Sequence, residues 1–298
     1  MATPIARFQD QGGRLDTSGI DFEAFRRDPL DANALRCLEY MHDIEYHTPL
    51  YMRQLLMTPQ AWQDPEFTAF LTIWNYEEYW HGDAIGRVLE AHDRPAHGPR
   101  IAAMRRAKRH SIDTSALAFW VLGHVVRHFD AVHMTWGAVN EWTAHAAYGR
   151  LAEIAEHPVL DELLTRIMRQ EARHAGFYAS HARDLLGASV RARRLTRWVL
   201  RHRWDIVGSG DVPRRETAFV GAYLFGAGSG SPFVDRIEHR IDALPGLGGL
   251  GLVGSAIERC IAEAGGDASV ARVGAGTQPD RGRGGVRSTP DVWHSAGV

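Results

Sequence analysis

The sequence predicts an all-α protein, and three observations predict it. Apolar residues recur at helical spacing along several long segments. No sustained apolar–polar alternation bounded by turn residues marks a strand. Asp or Pro stands where the long segments begin. With 298 residues, 45% hydrophobic and 23% charged, the chain has the composition of a globular protein long enough to bury a sizeable core.

Residues 1–30 are mixed and polar and read as an N-terminal arm. Asp31 is an N-cap candidate, followed by apolar positions at Leu38, Met41, Met52 and Leu56. Pro49 lies inside this pattern. A proline there leaves the carbonyl of Glu45 without its helical donor, so the spacing predicts a kinked but continuous helix. A second helix opens at Asp64-Pro65 and carries Leu71, Trp74, Ile85 and Leu89 on one stripe. Ala91 to Gly98 reads as a break. A basic segment leads to an expected cap at Asp113 to Ser115, and one or two helices then reach about Glu156. Pro158 opens a long helix with Leu164, Ile167, Tyr178 and Leu185 on its apolar stripe, ending near Gly187. A basic amphipathic helix follows from Val190 to Trp204, then shorter helices near 213–225, 231–243 and 250–264. Thirteen of the 30 glycines fall between Gly246 and Gly297, and residues 265–298 read as a disordered Gly/Arg-rich tail. The domain reading is therefore an arm to residue 30, a helical domain over 31–264, and a tail.

Composition excludes several functions. A formal net charge of −2 argues against general nucleic-acid binding. Two cysteines, Cys37 and Cys260, make neither a disulfide scaffold nor a four-Cys zinc site, and fit a reducing compartment. The longest apolar stretch, Ala116 to Val126, is too short for a membrane span, and the N-terminus lacks a signal-peptide pattern, so the expected location is the cytoplasm.

The 16 histidines point toward metal without naming a site. Spacing is more selective. A Glu-x-x-His pair puts a carboxylate and an imidazole on one helix face. With 16 Glu and 16 His, chance supplies about one such pair. Three occur: Glu39/His42, Glu78/His81 and Glu171/His174. Glu78/His81 and Glu171/His174 continue the two apolar stripes, where charged groups are costly unless paired or metal-bound. Glu39/His42 lies off its stripe, so Glu39 reads as solvated, with His42, His145 and His181 left as possible supports. Each inward pair also follows a lone inward carboxylate. Glu45 precedes Glu78 by 33 residues and Glu141 precedes Glu171 by 30. Four Glu and two His from four helices is the donor set of a ferritin-like di-metal carboxylate bundle, and oxygen plus imidazole donors suit iron. The predicted fold is thus all-α, a ferritin-like four-helix bundle with a diiron centre and additional C-terminal helices.

Four segments resemble the soluble acyl-carrier-protein desaturases. They are Glu77-Glu78-Tyr79-Trp80-His81-Gly82-Asp83, Glu45-Tyr46-His47-Thr48-Pro49-Leu50-Tyr51, Asn140-Glu141 with Gly149, and Gln170-Glu171-Ala172-Arg173-His174. The likeness spans roughly Asp31 to Gly187. Two positions depart from the family pattern: Gln170 stands where the family has Asp, and Ala144 where it has Thr, with Thr143 adjacent. The resemblance implies two Fe2+ ions, with manganese left open, held by Glu45, Glu78, His81, Glu141, Glu171 and His174. Glu77, Gln170, Thr143 and His145 would support them. It implies O2-dependent insertion of a cis double bond into an acyl chain on acyl carrier protein, a separate ferredoxin-type electron donor, and a homodimer. Tyr46, Met52, Trp74, Phe119, Trp120, Met134 and Tyr148 are candidate channel walls. An acidic carrier needs a basic surface. Candidates are Arg105, Arg106, Lys108 and Arg109, and Arg191, Arg194, Arg197 and Arg201 around Leu195, Trp198 and Val199. Two other readings stay open: a different diiron oxygenase or oxidase, and a non-catalytic ferritin-like metal-binding protein.

Overall fold

The computed structural model describes residues 4–265, all-helical apart from loops and one isolated bridge, Ser209 with Val212. The helices are α1 (Pro4–Gln11), α2 (Ala24–Arg27), α3 (Ala32–Glu45), α4 (Thr48–Leu56), α5 (Pro59–Gln63), α6 (Pro65–Ala91) and α7 (His97–Val125). They continue with α8 (Phe129–Ala155), α9 (Pro158–Ala188), α10 (Val190–Arg203), α11 (Arg214–Phe225), α12 (Ser231–Asp242) and α13 (Leu252–Ala264).

The helix starts follow the caps. The Asp31 carboxylate accepts from the Asn33 and Ala34 amides, and Asp64 from those of Glu66 and Phe67, satisfying donors that a helix N-terminus leaves orphaned. Pro65 and Pro158 occupy first turns, where a missing N–H costs nothing.

Helices α3, α6, α9 and α8 pack in a closed ring, each touching the next, and the most extensive contact is between α8 and α9. Their inward stripes form the core. Leu71, Ile85, Leu89, Leu164 and Ile167 are all fully buried. Phe70 stacks on Phe177 at 3.8 Å between ring centres. The remaining helices cover this ring: α10 lies on α8 and α9, α11 on α13, α8 and α3, and α4 on α6 and α7.

Three expectations are corrected. The first 30 residues are no polar arm, because Ile5, Phe8, Leu15, Phe25 and Leu30 are buried in the same core and α1 packs on α6 and α9. The chain around Pro49 does not continue as one kinked helix. Helix α3 stops at Glu45 and α4 restarts at Thr48, placing Pro49 in a new first turn. No cap interrupts Asp113 to Ser115, since α7 runs unbroken from His97 to Val125. On α10 the buried positions are Ala192, Thr196 and Leu200, and Trp198 of the basic face stays exposed, as a docking surface requires. The expected tail beyond residue 265 lies outside the described residues. Among the described residues no helix is long and apolar enough to cross a membrane.

Candidate metal centre

Each helix of the ring contributes to one buried cluster. Glu45 is the last residue of α3, Glu78 and His81 sit mid-α6, Glu141 mid-α8, and Glu171 and His174 mid-α9. None is more than 6% exposed. Gly82 allows α3 to approach α6 at this level, because a Cβ there would meet the Tyr46 ring at 2.8 Å and Glu45 Cβ at 3.3 Å.

The six side chains make two overlapping sets. Glu45, Glu78, His81 and Glu171 form one, and Glu78, Glu141, Glu171 and His174 the other, with donor atoms in each set all within 4.8 Å of one another. Glu78 and Glu171 are shared, and each turns one oxygen to each imidazole. His81 Nδ1 lies 3.6 Å from Glu78 Oε2 and 3.3 Å from Glu171 Oε1. His174 Nδ1 lies 3.1 Å from both Glu78 Oε1 and Glu171 Oε2. The unshared carboxylates stand at the ends, Glu45 Oε2 3.7 Å from His81 Nδ1 and Glu141 Oε2 3.8 Å from His174 Nδ1.

The outer faces of the imidazoles are anchored. His174 Nε2 is 2.7 Å from Glu77 Oε2, and His81 Nε2 is 2.8 Å from Gln170 Oε1. Glu77 is ionised, so His174 Nε2 donates. The Gln170 amide nitrogen already donates to Gly13 O at 3.0 Å and Glu77 Oε1 at 3.2 Å, so its carbonyl faces His81 and His81 Nε2 also donates. Both rings therefore turn Nδ1 inward. A metal-binding histidine is usually fixed in this way. The end carboxylates are held too: Trp74 Nε1 donates to Glu141 Oε1 at 3.1 Å, and the Tyr148 hydroxyl donates to Glu45 Oε1.

Glu45 Oε2 and His81 Nδ1 are buried with no hydrogen-bond partner, although buried polar atoms are nearly always satisfied. With four carboxylates and two inward imidazole nitrogens converging, the site fits a pair of divalent cations.

The protein's own electrostatics agree. Burial, and then the neighbouring carboxylates, push Glu78 far above the usual range and Glu141 up to about 8. Burial disfavours charge on His81 and His174, yet the carboxylates that surround each ring raise both well above their ordinary value. Burial opposes ionisation of Glu171 too, but the hydrogen bond from His174 and the nearby His81 hold it well below. Glu77 is held down against burial by His174, then Arg173. Without cations the cluster balances charge with protons, and these must leave when cations enter.

Of the other expected residues, Glu77 and Gln170 are seated as described. Thr143 is not, because its hydroxyl is spent on Val139 O of its own helix. His145 lies within electrostatic reach of Glu171, and burial brings its pKa down to about 4. His42 takes the amide of His97 on Nε2 and meets Asp43 on Nδ1, so it fastens the start of α7. His181 bonds to Phe177 O. Glu39 is ion-paired with Arg94 and Arg100 rather than simply solvated. Of the channel-wall candidates, Tyr46, Trp74, Met134 and Tyr148 are buried, whereas Trp120 is 46% exposed and lines no interior. Sequence reasoning missed Gly13, whose amide donates to Glu77 Oε1 at 2.9 Å, and the engagement of Arg173 with the same oxygen. Arg173 was visible as a motif residue. Gly13 carried no signal.

Arg105, Arg106, Arg191, Arg194 and Arg201 are exposed. Arg197 is not free for docking, since it donates to Gly246 O and Gly248 O and fastens that loop to α10. The side chains of Lys108 and Arg109 lie outside the described residues. No family model, curated protein or solved structure matches this chain.

Proposed function

We propose that the chain is a ferritin-like diiron oxidoreductase that uses O2 to introduce a cis double bond into an acyl chain carried on acyl carrier protein. The observation that carries the metal half is the pair of overlapping buried donor sets sharing Glu78 and Glu171. The acyl half rests on the four segments that resemble the desaturases. Oxygen donors with one imidazole apiece suit iron. When bound, the irons supply the O2 reduction and hydrogen removal that no side chain can perform.

The chain's own residues have definable tasks. Glu45, Glu78, Glu141 and Glu171 offset two divalent charges. Glu77 and Gln170 hold the imidazoles with Nδ1 inward, and Trp74 and Tyr148 fix the end carboxylates. Phe8, Phe70, Phe177 and Tyr178 pack beside His174 and exclude water from that flank. Arg105, Arg106, Arg191, Arg194 and Arg201 attract an acidic carrier. Electrons arrive from a separate ferredoxin-type donor, because Cys37 and Cys260 are both buried and cannot assemble a cluster. The exposed apolar residues Leu117, Val121 and Val125 on one face of α7 offer a surface for homodimer formation. A second reading, a different diiron oxidation, is favoured by Gln170 and Ala144 at the two departing positions.

The test is anaerobic Fe2+ loading, reduction, and O2 addition with acyl-carrier-protein substrates of several chain lengths. Two irons per chain and an unsaturated product support the proposal. Two irons with no unsaturated product at any length refute desaturation in favour of the second reading. Absence of iron binding refutes both.

A further inference from the structure

The inner donors are arranged almost symmetrically. Each set has one imidazole Nδ1, one end carboxylate and the two shared carboxylates. Each end carboxylate receives one hydrogen bond from a buried aromatic, Trp74 on Glu141 and Tyr148 on Glu45. The symmetry fails at the next layer. His174 Nε2 donates to the Glu77 carboxylate, and His81 Nε2 to the neutral Gln170 carbonyl. An anionic acceptor draws the Nε2 proton more strongly than an amide does. It thereby enriches the opposite nitrogen and makes it the better donor to a cation.

We infer that the two metal positions are graded, the His174 position binding first and more tightly, with the Glu77/Gln170 pair setting the grade. This rests on the metal reading above. Three features keep the pair from exchanging roles. Gly13 N and Arg173 both hold Glu77 Oε1, the first at 2.9 Å and the second at 2.9 Å, so the carboxylate stays ionised and oriented. Gly13 O takes the Gln170 amide nitrogen, which prevents the amide from flipping its donor toward His81. Gly12 lets this corner of the chain seat on α6, because a Cβ there would meet Phe8 O at 2.6 Å and Ile73 Cγ2 at 2.7 Å. The segment before α2 thus reaches both outer acceptors from one residue. A graded pair fills in order, so a cation captured at the His174 position is in place before the second arrives.

The grade separates from a general effect on the fold because two substitutions move it oppositely. Glu77→Gln removes the charge behind His174 and should weaken chiefly the tighter step, narrowing the gap, although Gln170 also donates to Glu77 Oε1. Gln170→Leu removes the acceptor behind His81 and should weaken chiefly the looser step, widening it, because Glu77 loses one donor but keeps Gly13 N and Arg173. Loss of an outer partner of this kind typically costs about 10- to 100-fold in metal affinity.

The experiment titrates the metal-free chain with Co2+ alone, reading heat and the visible ligand-field bands, with thermal unfolding of each metal-free variant in parallel. The expected result is two resolved steps in the unmodified chain, a narrowed gap in Glu77→Gln and a widened gap in Gln170→Leu. Two equal steps in the unmodified chain, or equal shifts of both steps in either variant, overturn the grading and leave the metal centre standing. No Co2+ binding overturns the metal reading and the grading with it. If Glu77→Gln does not fold, Gln170→Leu decides, because its larger effect must fall on the looser step.

Discussion

Replacing Glu78 by Gln should stabilise the metal-free chain and disable the metal centre together. Burial, then the charges of Glu171 and Glu45, raise Glu78 well above its ordinary value of 4.5, so the native state holds its proton more tightly than the unfolded chain does. The sign is therefore destabilising at pH 7, because a carboxyl whose proton is held more tightly in the native state than in the unfolded chain loses stability as pH rises above the ordinary value, at up to about 1.4 kcal/mol per pH unit. Gln has the same shape and needs no proton, so Glu78→Gln recovers much of that cost. The effect on metal is opposite. Four-ligand structural zinc sites bind with about 10–16 kcal/mol, so one ligand carries ~3 kcal/mol, which is more than a hundredfold in affinity. Because Glu78 belongs to both donor sets, both positions lose a ligand. Calorimetric unfolding of the metal-free protein and anaerobic Fe2+ titration measure the two effects. Unchanged iron affinity would refute the shared-ligand assignment. A loss of more than about 1 kcal/mol of metal-free stability would refute the protonation argument. Glu171→Gln is the contrast, because it replaces the ionised carboxylate that both histidines contact, and should lower stability as well as affinity.

Three further outcomes follow from the same geometry. Cation binding should release protons at pH 7, because Glu78 is held above the usual range and Glu141 at about 8, so affinity should rise as pH climbs through 8; calorimetry in buffers of differing ionisation enthalpy measures this, and zero release contradicts it. His133 is brought down to about 4 by burial, so the native state resists a proton that the unfolded chain accepts below 6.5, and stability should fall between pH 6.5 and 4 by up to about 1.4 kcal/mol per unit. His133→Phe should flatten that slope by about one proton, read by denaturant unfolding at stepped pH, and an unchanged slope would exclude His133 as its source. Gly12→Ala should cost about 1–3 kcal/mol, because its Cβ meets backbone at 2.6 Å, and an unchanged melting temperature would show that the corner can shift without loss.

The ring of helices and its six inward donors were legible because they obey local rules. Asp31 and Asp64 announce caps, and Glu78/His81 and Glu171/His174 interrupt apolar stripes where only pairing or metal makes charge tolerable. What was not legible depends on long-range packing. Residues 1–30 look polar because their buried members, Phe8, Leu15 and Phe25 among them, are spread among charged neighbours with no period to link them. The role of Gly13 requires knowing that the chain returns to α6 and α9, contacts separated by 64 and 157 residues. Asp113 to Ser115 carried a cap-like composition, but α7 runs through it, since cap residues are tolerated inside a helix when nothing else stops it. Thr143 failed as a support for a local reason: a helical threonine can spend its hydroxyl on the carbonyl four residues back.

The central claim is that six named side chains hold two cations across shared carboxylates. The most direct measurement is a crystal structure of the iron-loaded chain with anomalous scattering collected at the iron edge. The account predicts two anomalous peaks, one bound by Glu45 and His81 Nδ1 and the other by Glu141 and His174 Nδ1, both touching Glu78 and Glu171. An iron-loaded crystal with no anomalous peak among these six residues would contradict it.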